Sequence, residues 1–564
     1  MHGDGTVTIT GGASCQPNQI GPTLIEVPLG CTVVLGGANF NVAPVAGVAA
    51  DFSAVEGTTV SLVGTTSTDS DGTIDSYIWE QGGGTPAIAL TNANTATATF
   101  TAPAAGATLT FFLIVVDNDG VGNLGEITVT TVATTSQTVF TYYVADCQAG
   151  NDADCVAGDD SNDGLSKANA WKTYDKARLQ FSSLADGESI GFAKGGSFLV
   201  DGSDDRWTNQ NSTAGTGVTI GSYTPTWASG DETNPQIVVS DTTNNVFDLA
   251  DGGNANVEAG YIFRNLALSC TGGASSSGPG FWMQNDVDNV TISGVSINGC
   301  RVGVNSSGSN TCDGGDATCD GVNSDLKLSS VSIVNSIDQG YLGTANNLTI
   351  ENSTFTGNGT VASFDHNIYV SGGNNISITG NTLYQSAIDG SSICQGASFV
   401  AHGTINTMLI ENNTIYEALN KAASGCWGIA VDTGYSYGES FTDITIRNNT
   451  ITNVGNQFIG VASCIDCVIE NNTLAQSNTI ATTAISAPNR TRGATDAVFT
   501  GVTVKNNTFT MNGTSLSTFI SVTTEGTGHT VINNTATNNS SGAMTCTALS
   551  SPATFTDTTG STCN

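Results

Sequence analysis

The chain has 564 residues, 14 of them Lys or Arg against 49 Asp or Glu, for a formal charge of −35. Phosphate backbones are held by clustered cations that release counterions, and the basic residues here are scattered between Lys167 and Lys505, so a nucleic-acid partner is all but excluded. No run approaches the ~20 apolar residues that span a bilayer, which argues against membrane insertion, and 68 glycines with only 11% charged residues favour strands and turns over helices.

The N-terminus, Met-His-Gly-Asp-Gly, lacks a basic segment followed by an apolar one. A removed signal peptide, or a piece cut from a longer surface protein, is expected. The 14 cysteines fall as near neighbours in sequence: Cys15/Cys31, Cys147/Cys155, Cys270/Cys300, Cys312/Cys319, Cys394/Cys426, Cys464/Cys467 and Cys546/Cys563. Local pairing is the working expectation, and an even count in a Lys-poor, acidic chain suggests an extracellular or cell-surface compartment.

Residues 1–37 hold two strand-like runs, Thr6–Thr10 and Cys31–Leu35, too few for a stable sheet alone. From residue 38 to 135 the pattern becomes short strands separated by turn signals, as in a small sandwich: Thr59–Leu62, Ile74–Trp79, Ala96–Phe100 and Leu109–Val116. The words Pro44-Val45-Ala46, Glu56-Gly57-Thr58-Thr59-Val60, Asp69-Ser70-Asp71-Gly72, Tyr77-Ile78-Trp79, Phe100-Thr101-Ala102-Pro103 and Val116-Asp117-Asn118-Asp119-Gly120 resemble a PKD-type immunoglobulin-like domain. The resemblance implies a spacer or adhesive module of surface proteins and secreted carbohydrate enzymes, with Trp79 in the core. Asp69, Asp71, Asp117 and Asp119 offer hard oxygens of the kind Ca²⁺ takes, although Asp-Gly pairs also serve simply as turn formers.

The third region, 136–564, opens with a Thr/Ser-rich linker and a strand at Tyr142–Val144. One helix follows, with Trp171, Tyr174, Ala177, Phe181 and Leu184 on a single apolar face. A lone amphipathic helix ahead of a long β region fits a cap over the open end of a solenoid.

Beyond it one phrase recurs: Leu348-x-Ile350-x4-Phe355, Ile376-x-Ile378-x4-Leu383, Met408-x-Ile410-x4-Ile415, Ile444-x-Ile446-x4-Ile451, Cys467-x-Ile469-x4-Leu474 and Val502-x-Val504-x4-Phe509. A weaker copy sits at Asn533-Asn534-Thr535, and earlier ones at Ile292–Ile297 and Leu328–Ile333. The threonine before the last apolar residue falls at 354, 382, 414, 450, 473, 508 and 535; so variable a period marks stacked coils with insertions. Asparagine precedes that threonine at 381, 413, 449, 472, 507 and 534, where a ladder from coil to coil would satisfy buried amides. Many Asn-x-Thr triplets are also formal glycosylation acceptors, but a corner ladder explains the period without sugar. The phrase resembles the right-handed parallel β-helix of pectate-lyase-like proteins. The expected fold is therefore all-β: a PKD-like β-sandwich followed by a right-handed parallel β-helix with an N-terminal helical cap.

Chemistry has few places to sit. His occurs four times, and one copy lies in Asp365-His366-Asn367-Ile368-Tyr369-Val370. Trp427-Gly428-Ile429-Ala430-Val431-Asp432 and Gln457-Phe458-Ile459-Gly460-Val461 have the same form, so stacking would place His366, Trp427 and Gln457 in one column. Asp389, His402, Lys421, Asp432, Tyr435, Tyr437, Glu439 and Arg447 would lie on nearby coils or loops. The first two words resemble segments of β-helix proteins grouped with polysaccharide lyases. Under that resemblance Asp365, Asp389 and Asp432 are candidate Ca²⁺ ligands, His366 or Lys421 the base, Tyr435 or Tyr437 the acid, and Trp427, Arg447 and His402 sugar contacts. A hydrolase would use two of those carboxylates instead. Residues 365–447 carry only Lys421 and Arg447 as fixed positive charges, so an anionic polymer would be repelled unless Ca²⁺ bridges it. His366 also reads simply as a satisfied strand-end histidine. The partner expected is a polysaccharide or cell-surface glycan. The rival expectation is a non-catalytic adhesin, stalk or filament subunit that self-associates.

Overall fold

The computed structural model describes residues 41–563 apart from 49–50, 56–58, 105, 133–138, 201–205, 240–244, 251–256, 271–277, 308–321, 436, 514, 523–524 and 550–554; before residue 41 it describes four strands. Two units separate between Val139 and Phe140.

In the first unit Thr6–Thr10 pairs antiparallel with Thr32–Gly36. Cys15 and Cys31 lie outside the described residues. The sandwich has a four-stranded sheet ordered Phe52–Val55, Gly122–Val132, Thr108–Asp117, Ile74–Gly83, and a pair formed by Thr59–Val63 and Thr97–Thr101. Thr108–Asp117 alternates so that Leu109, Phe111, Leu113 and Val115 are buried, the period-two pattern of a half-buried strand. Trp79 is buried among them. Gly122–Val132 escaped the sequence reading because Gly122 and Gly125 interrupt its alternation; the structure pairs it on both edges.

After a first strand, Tyr142–Val144, the second unit has the expected helix, Tyr174–Phe181, capped by the Thr173 side chain on the Lys176 amide. Tyr174, Ala177 and Phe181 are buried, as are the flanking Trp171 and Leu184. They join the apolar core at the first coils, beside Trp207 and Phe247.

From there the chain winds as a right-handed parallel β-helix, the hand that parallel crossovers take. Among the described residues its three sheets hold 15, 13 and 11 strands. The first sheet begins at Tyr142–Val144, the second at Ser197–Val200 and the third at Phe247–Ala250. The repeated phrase is one strand of the first sheet, a two-residue corner and one strand of the second. Its inward column is continuous: Phe263, Ile292, Leu328, Ile350, Ile378, Ile410, Ile446, Ile469, Val504 and Val531 stack in register. Each is essentially buried, and burial of one such side chain contributes ~1.5–3 kcal/mol. The threonines from Thr354 to Thr535 also stack in register and continue to Thr562.

The corner explains the asparagines. Asn381 Nδ2 donates to Asn413 Oδ1 at 3.0 Å, and the chain of amides continues through Asn449, Asn472, Asn507 and Asn534 at 2.9–3.0 Å. Each Nδ2 also reaches an inward-strand carbonyl, as Asn413 does at Ile378 (2.8 Å), and each Oδ1 takes the backbone amide of the preceding ladder residue, as Asn413 does from Asn381 (2.9 Å). Every one of these groups is buried and would be stranded without its neighbour. The residue just before it has φ of +55 to +57° at Asn412, Asn448, Asn471, Asn506 and +54° at Asn533, a left-handed conformation that Asn tolerates and β-branched residues do not. Five disulfides close as expected: Cys147–Cys155, Cys270–Cys300, Cys394–Cys426, Cys464–Cys467 and Cys546–Cys563. Cys312 and Cys319 lie outside the described residues.

Candidate functional site

The third sheet carries the site. Ile368–Val370, Phe399–Ala401, Ile429–Val431 and Gln457–Val461 stack in register. Ile368 and Val370 point into the core, so Tyr369 points outward, and continuing the register two residues back aligns His366, Ala397, Trp427 and Gln457. The expected column exists, with Ala397 between His366 and Trp427. Small side chains at Ala397, Val400 and Ala430 form an outer apolar floor with Tyr369 and Trp427 packed on it. A cleft opens above this floor, also lined by Ser363, His366, His402, Asp432 and Arg490.

His366 is buried, and its Nδ1 sits 2.9 Å from the Ala397 carbonyl. A carbonyl only accepts, so the proton is on Nδ1 and Nε2 keeps its lone pair. Burial lowers its pKa to about 4 despite that hydrogen bond, so the ring is neutral at pH 7.

His402 stands between two buried carboxylates: Nε2 is 3.6 Å from Asp432 Oδ1, and Nδ1 is 3.3 Å from Glu439 Oε1. The two acids differ in what else they hold. Glu439 takes the amides of Gly403 (2.7 Å), Gly434 (2.5 Å) and Tyr435 (2.8 Å), so it ties the loop after Val431 down. Gly434 permits this, because a Cβ there would lie 2.8 Å from His402 Cε1. Asp432 Oδ2 meets Arg490 Nε at 2.6 Å and Asn489 Nδ2 at 3.3 Å, while its Oδ1 has no hydrogen-bond partner. Burial raises the Asp432 pKa, with Arg490 and His402 opposing.

Arg490 also lies over the Trp427 ring, 5.5 Å from its centroid, and Trp427 Nε1 donates to Asn456 Oδ1 at 2.6 Å. An aromatic run of His366, Tyr369, His402, Tyr435 and Tyr437 has successive ring centroids 4.9–5.5 Å apart. The Tyr369 and Tyr435 hydroxyls hydrogen-bond to each other. Burial raises the pKa of Tyr435 and Tyr437, so both keep their protons at neutral pH.

Other candidates are not brought here. Asp389 takes the amides of Ser391 and Ile393 (2.8 and 3.0 Å), and Lys421 Nζ donates to the Ser391 carbonyl (3.0 Å), so this pair closes its own turn. Arg447 ends a first-sheet strand and pairs with Glu411 at 2.6 Å. Asp365 takes the amides of Thr360 and Val361 (2.9 and 2.7 Å). The trio Asp365, Asp389 and Asp432 is thus not gathered into the oxygen cage that Ca²⁺ requires. In the sandwich Asp117 takes Asn41 Nδ2 and the amides of Asp119 and Val121 (2.7–2.9 Å), and Asp71 takes the Val42 amide at 3.0 Å. Asp119 takes Asn118 Nδ2 at 3.2 Å, and the buried Asp69 Oδ2 lacks a hydrogen-bond partner. Arg490 and Ser363 line the cleft and Tyr369 packs on its floor, and the sequence reading missed all three. Arg490 carried the only usable signal, being one of just 14 basic residues.

The fold and site define a PKD-type sandwich followed by a β-helix with a cleft on its third sheet. Residues 48–131 match a family of PKD domains. A nucleoside hydrolase-related protein of Saccharophagus degradans associated with carbohydrate metabolism is 24% identical over 16% of this chain and 26% of that one, with a TM-score of 0.15, so the chain spans about a quarter of it. PfbA, a surface adhesin of Streptococcus pneumoniae, covers 65% of this chain and 87% of its own at 14% identity and TM-score 0.38. The catalytic domain of a GH87 alpha-1,3-glucanase covers 84% and 76% at 13% identity and TM-score 0.40. No curated protein matches the chain in sequence. At these scores no activity is carried over.

Proposed function

We propose that the chain is an extracellular, carbohydrate-directed protein that binds a glycan in the cleft of its third sheet. One observation carries this reading: an aromatic and apolar floor (Trp427, Val400, Ala430) converges with His402, Asp432 and Arg490 in one cleft. Sugar rings have an apolar face and a polar rim, and bind where both are met. Arg490 is already neutralised by Asp432 at 2.6 Å, which favours a neutral sugar over a uronate. The five disulfides support an oxidising compartment.

The second reading is cleavage by elimination, favoured by the Nε2 lone pair of His366 in the cleft with Arg490 close by. In that reading His366 takes the C5 proton of a uronate, Arg490 leaves Asp432 to neutralise the sugar carboxylate, and the Tyr435 hydroxyl protonates the leaving oxygen. Two-carboxylate hydrolysis has less support, because the Glu439 oxygens are spent on backbone amides.

A panel of neutral and acidic oligosaccharides tests all three. Binding without new reducing ends supports the first reading, and new ultraviolet absorbance of an unsaturated sugar supports the second. No binding to any glycan, together with self-association of the chain, would replace both with an adhesin or filament role.

A further inference from the structure

On loops between the second and third sheets, Cys394, Cys426 and Glu417 are all buried, and their two sulfurs and one carboxylate oxygen lie within 4.8 Å of one another. We propose that these three residues form a latent site for a soft divalent cation, Zn²⁺ or Cd²⁺, which the Cys394–Cys426 disulfide keeps closed and reduction opens.

An independent observation points to a missing ligand. Glu417 is 2% exposed; its Oε1 takes the Gln385 amide at 2.8 Å, but its Oε2 has no hydrogen-bond partner. A buried carboxylate oxygen without a donor is costly to keep. A cation would supply the absent partner.

The framework does not depend on the S–S bond. The Cys394 amide donates to the Lys421 carbonyl at 2.8 Å, the Ala423 amide to the Cys394 carbonyl at 2.9 Å, and the Cys426 amide to the Ala423 carbonyl at 3.1 Å. These bonds hold the two cysteines on adjacent coils. Among the described residues no other disulfide has a third ligand so placed. Two thiolates and a carboxylate make a three-ligand site with a fourth position open, and thiolate softness selects Zn²⁺ or Cd²⁺ over Ca²⁺ or Mg²⁺. Reduction by a phosphine in water breaks the S–S bond, leaves two thiols and converts the phosphine to its oxide with the oxygen of water. Metal binding then expels the protons of both thiols and of Glu417.

The test uses the full chain, with and without tris(carboxyethyl)phosphine, titrated with Cd²⁺ while thiolate-to-metal charge transfer and far-ultraviolet circular dichroism are read. Reduced wild type is expected to bind one Cd²⁺ more than the reduced Cys394→Ser/Cys426→Ser variant, and the untreated chain to show no thiolate signal. Glu417→Gln should keep the thiolates but weaken that site at least tenfold. Equal signals from wild type and the double-serine variant would overturn the proposal, because the other reduced cysteines would account for them. Unchanged affinity in Glu417→Gln, or loss of the strand spectrum on reduction alone, would overturn it equally.

Discussion

The asparagine corner and the third-sheet cleft are built from the same coils by opposite means. At the corner every coil contributes the same residue at the same place, so Asn381, Asn413, Asn449, Asn472, Asn507 and Asn534 satisfy one another. In the cleft no two coils contribute alike: one gives His366, the next Ala397, Val400 and His402, the next Trp427 and Asp432, and a later loop gives Arg490. Repetition delivers stability, and departure from repetition delivers a site. Loops on either side of the third sheet vary in length, whereas the corner is fixed at two residues, so only the former can be altered without disturbing the stack.

That contrast is broken most severely at the corner. Asn449→Ala removes the acceptor of the buried Asn413 backbone amide and of one Asn413 Nδ2 hydrogen; a loss of about 3 kcal/mol in denaturant unfolding is expected. A loss below ~0.5 kcal/mol would mean that the ladder is ornamental. In the cleft, Trp427→Ala should leave unfolding within ~1 kcal/mol of wild type, since the side chain lies outside the main core, while weakening glycan binding about tenfold, or ~1.4 kcal/mol.

The pH dependence separates two buried groups. Glu417 has its pKa raised to about 8, so the folded chain holds a proton that the unfolded chain releases near 4.5. Its contribution to stability is complete below about pH 4.5 and is lost as pH rises through about 8. Glu417→Gln should flatten the stability profile across that window, and an unchanged slope would contradict the assignment. His366, lowered to about 4, acts in the other direction: its contribution is complete above 6.5 and is lost as pH falls toward 4. Its imidazole resonances should therefore show no titration between pH 8 and 5. The smallest effect belongs to the first sheet, where Arg447→Ala removes a partly exposed pair with Glu411; a change of no more than ~1 kcal/mol and no change in glycan binding are expected.

How much of this was legible in the sequence follows from the same contrast. The inward column from Ile292 to Val504, the ladder asparagines and the helix face are periodic, and period is what a sequence displays. The alignment of His366 with Trp427 was legible because both stand two residues before a third-sheet strand with the same apolar alternation. Arg490 was not, because it enters from a loop 58 residues after Asp432 in sequence and no spacing links them. Asp365 and Asp389 were candidates through the resemblance to lyase-group β-helix proteins, and each carboxylate takes amides of its own loop. Their offset in sequence carries no sign of that, since a turn-capping carboxylate and a ligand look the same until the backbone around them is placed.

The most direct test of the cleft as a glycan site is a calorimetric titration of wild type and Trp427→Ala with the oligosaccharide that the panel selects, at equal folding stability. Saturable binding by wild type, weakened about tenfold by the substitution, is the predicted result. Equal affinity in both proteins would place the sugar elsewhere on the molecule and contradict the account.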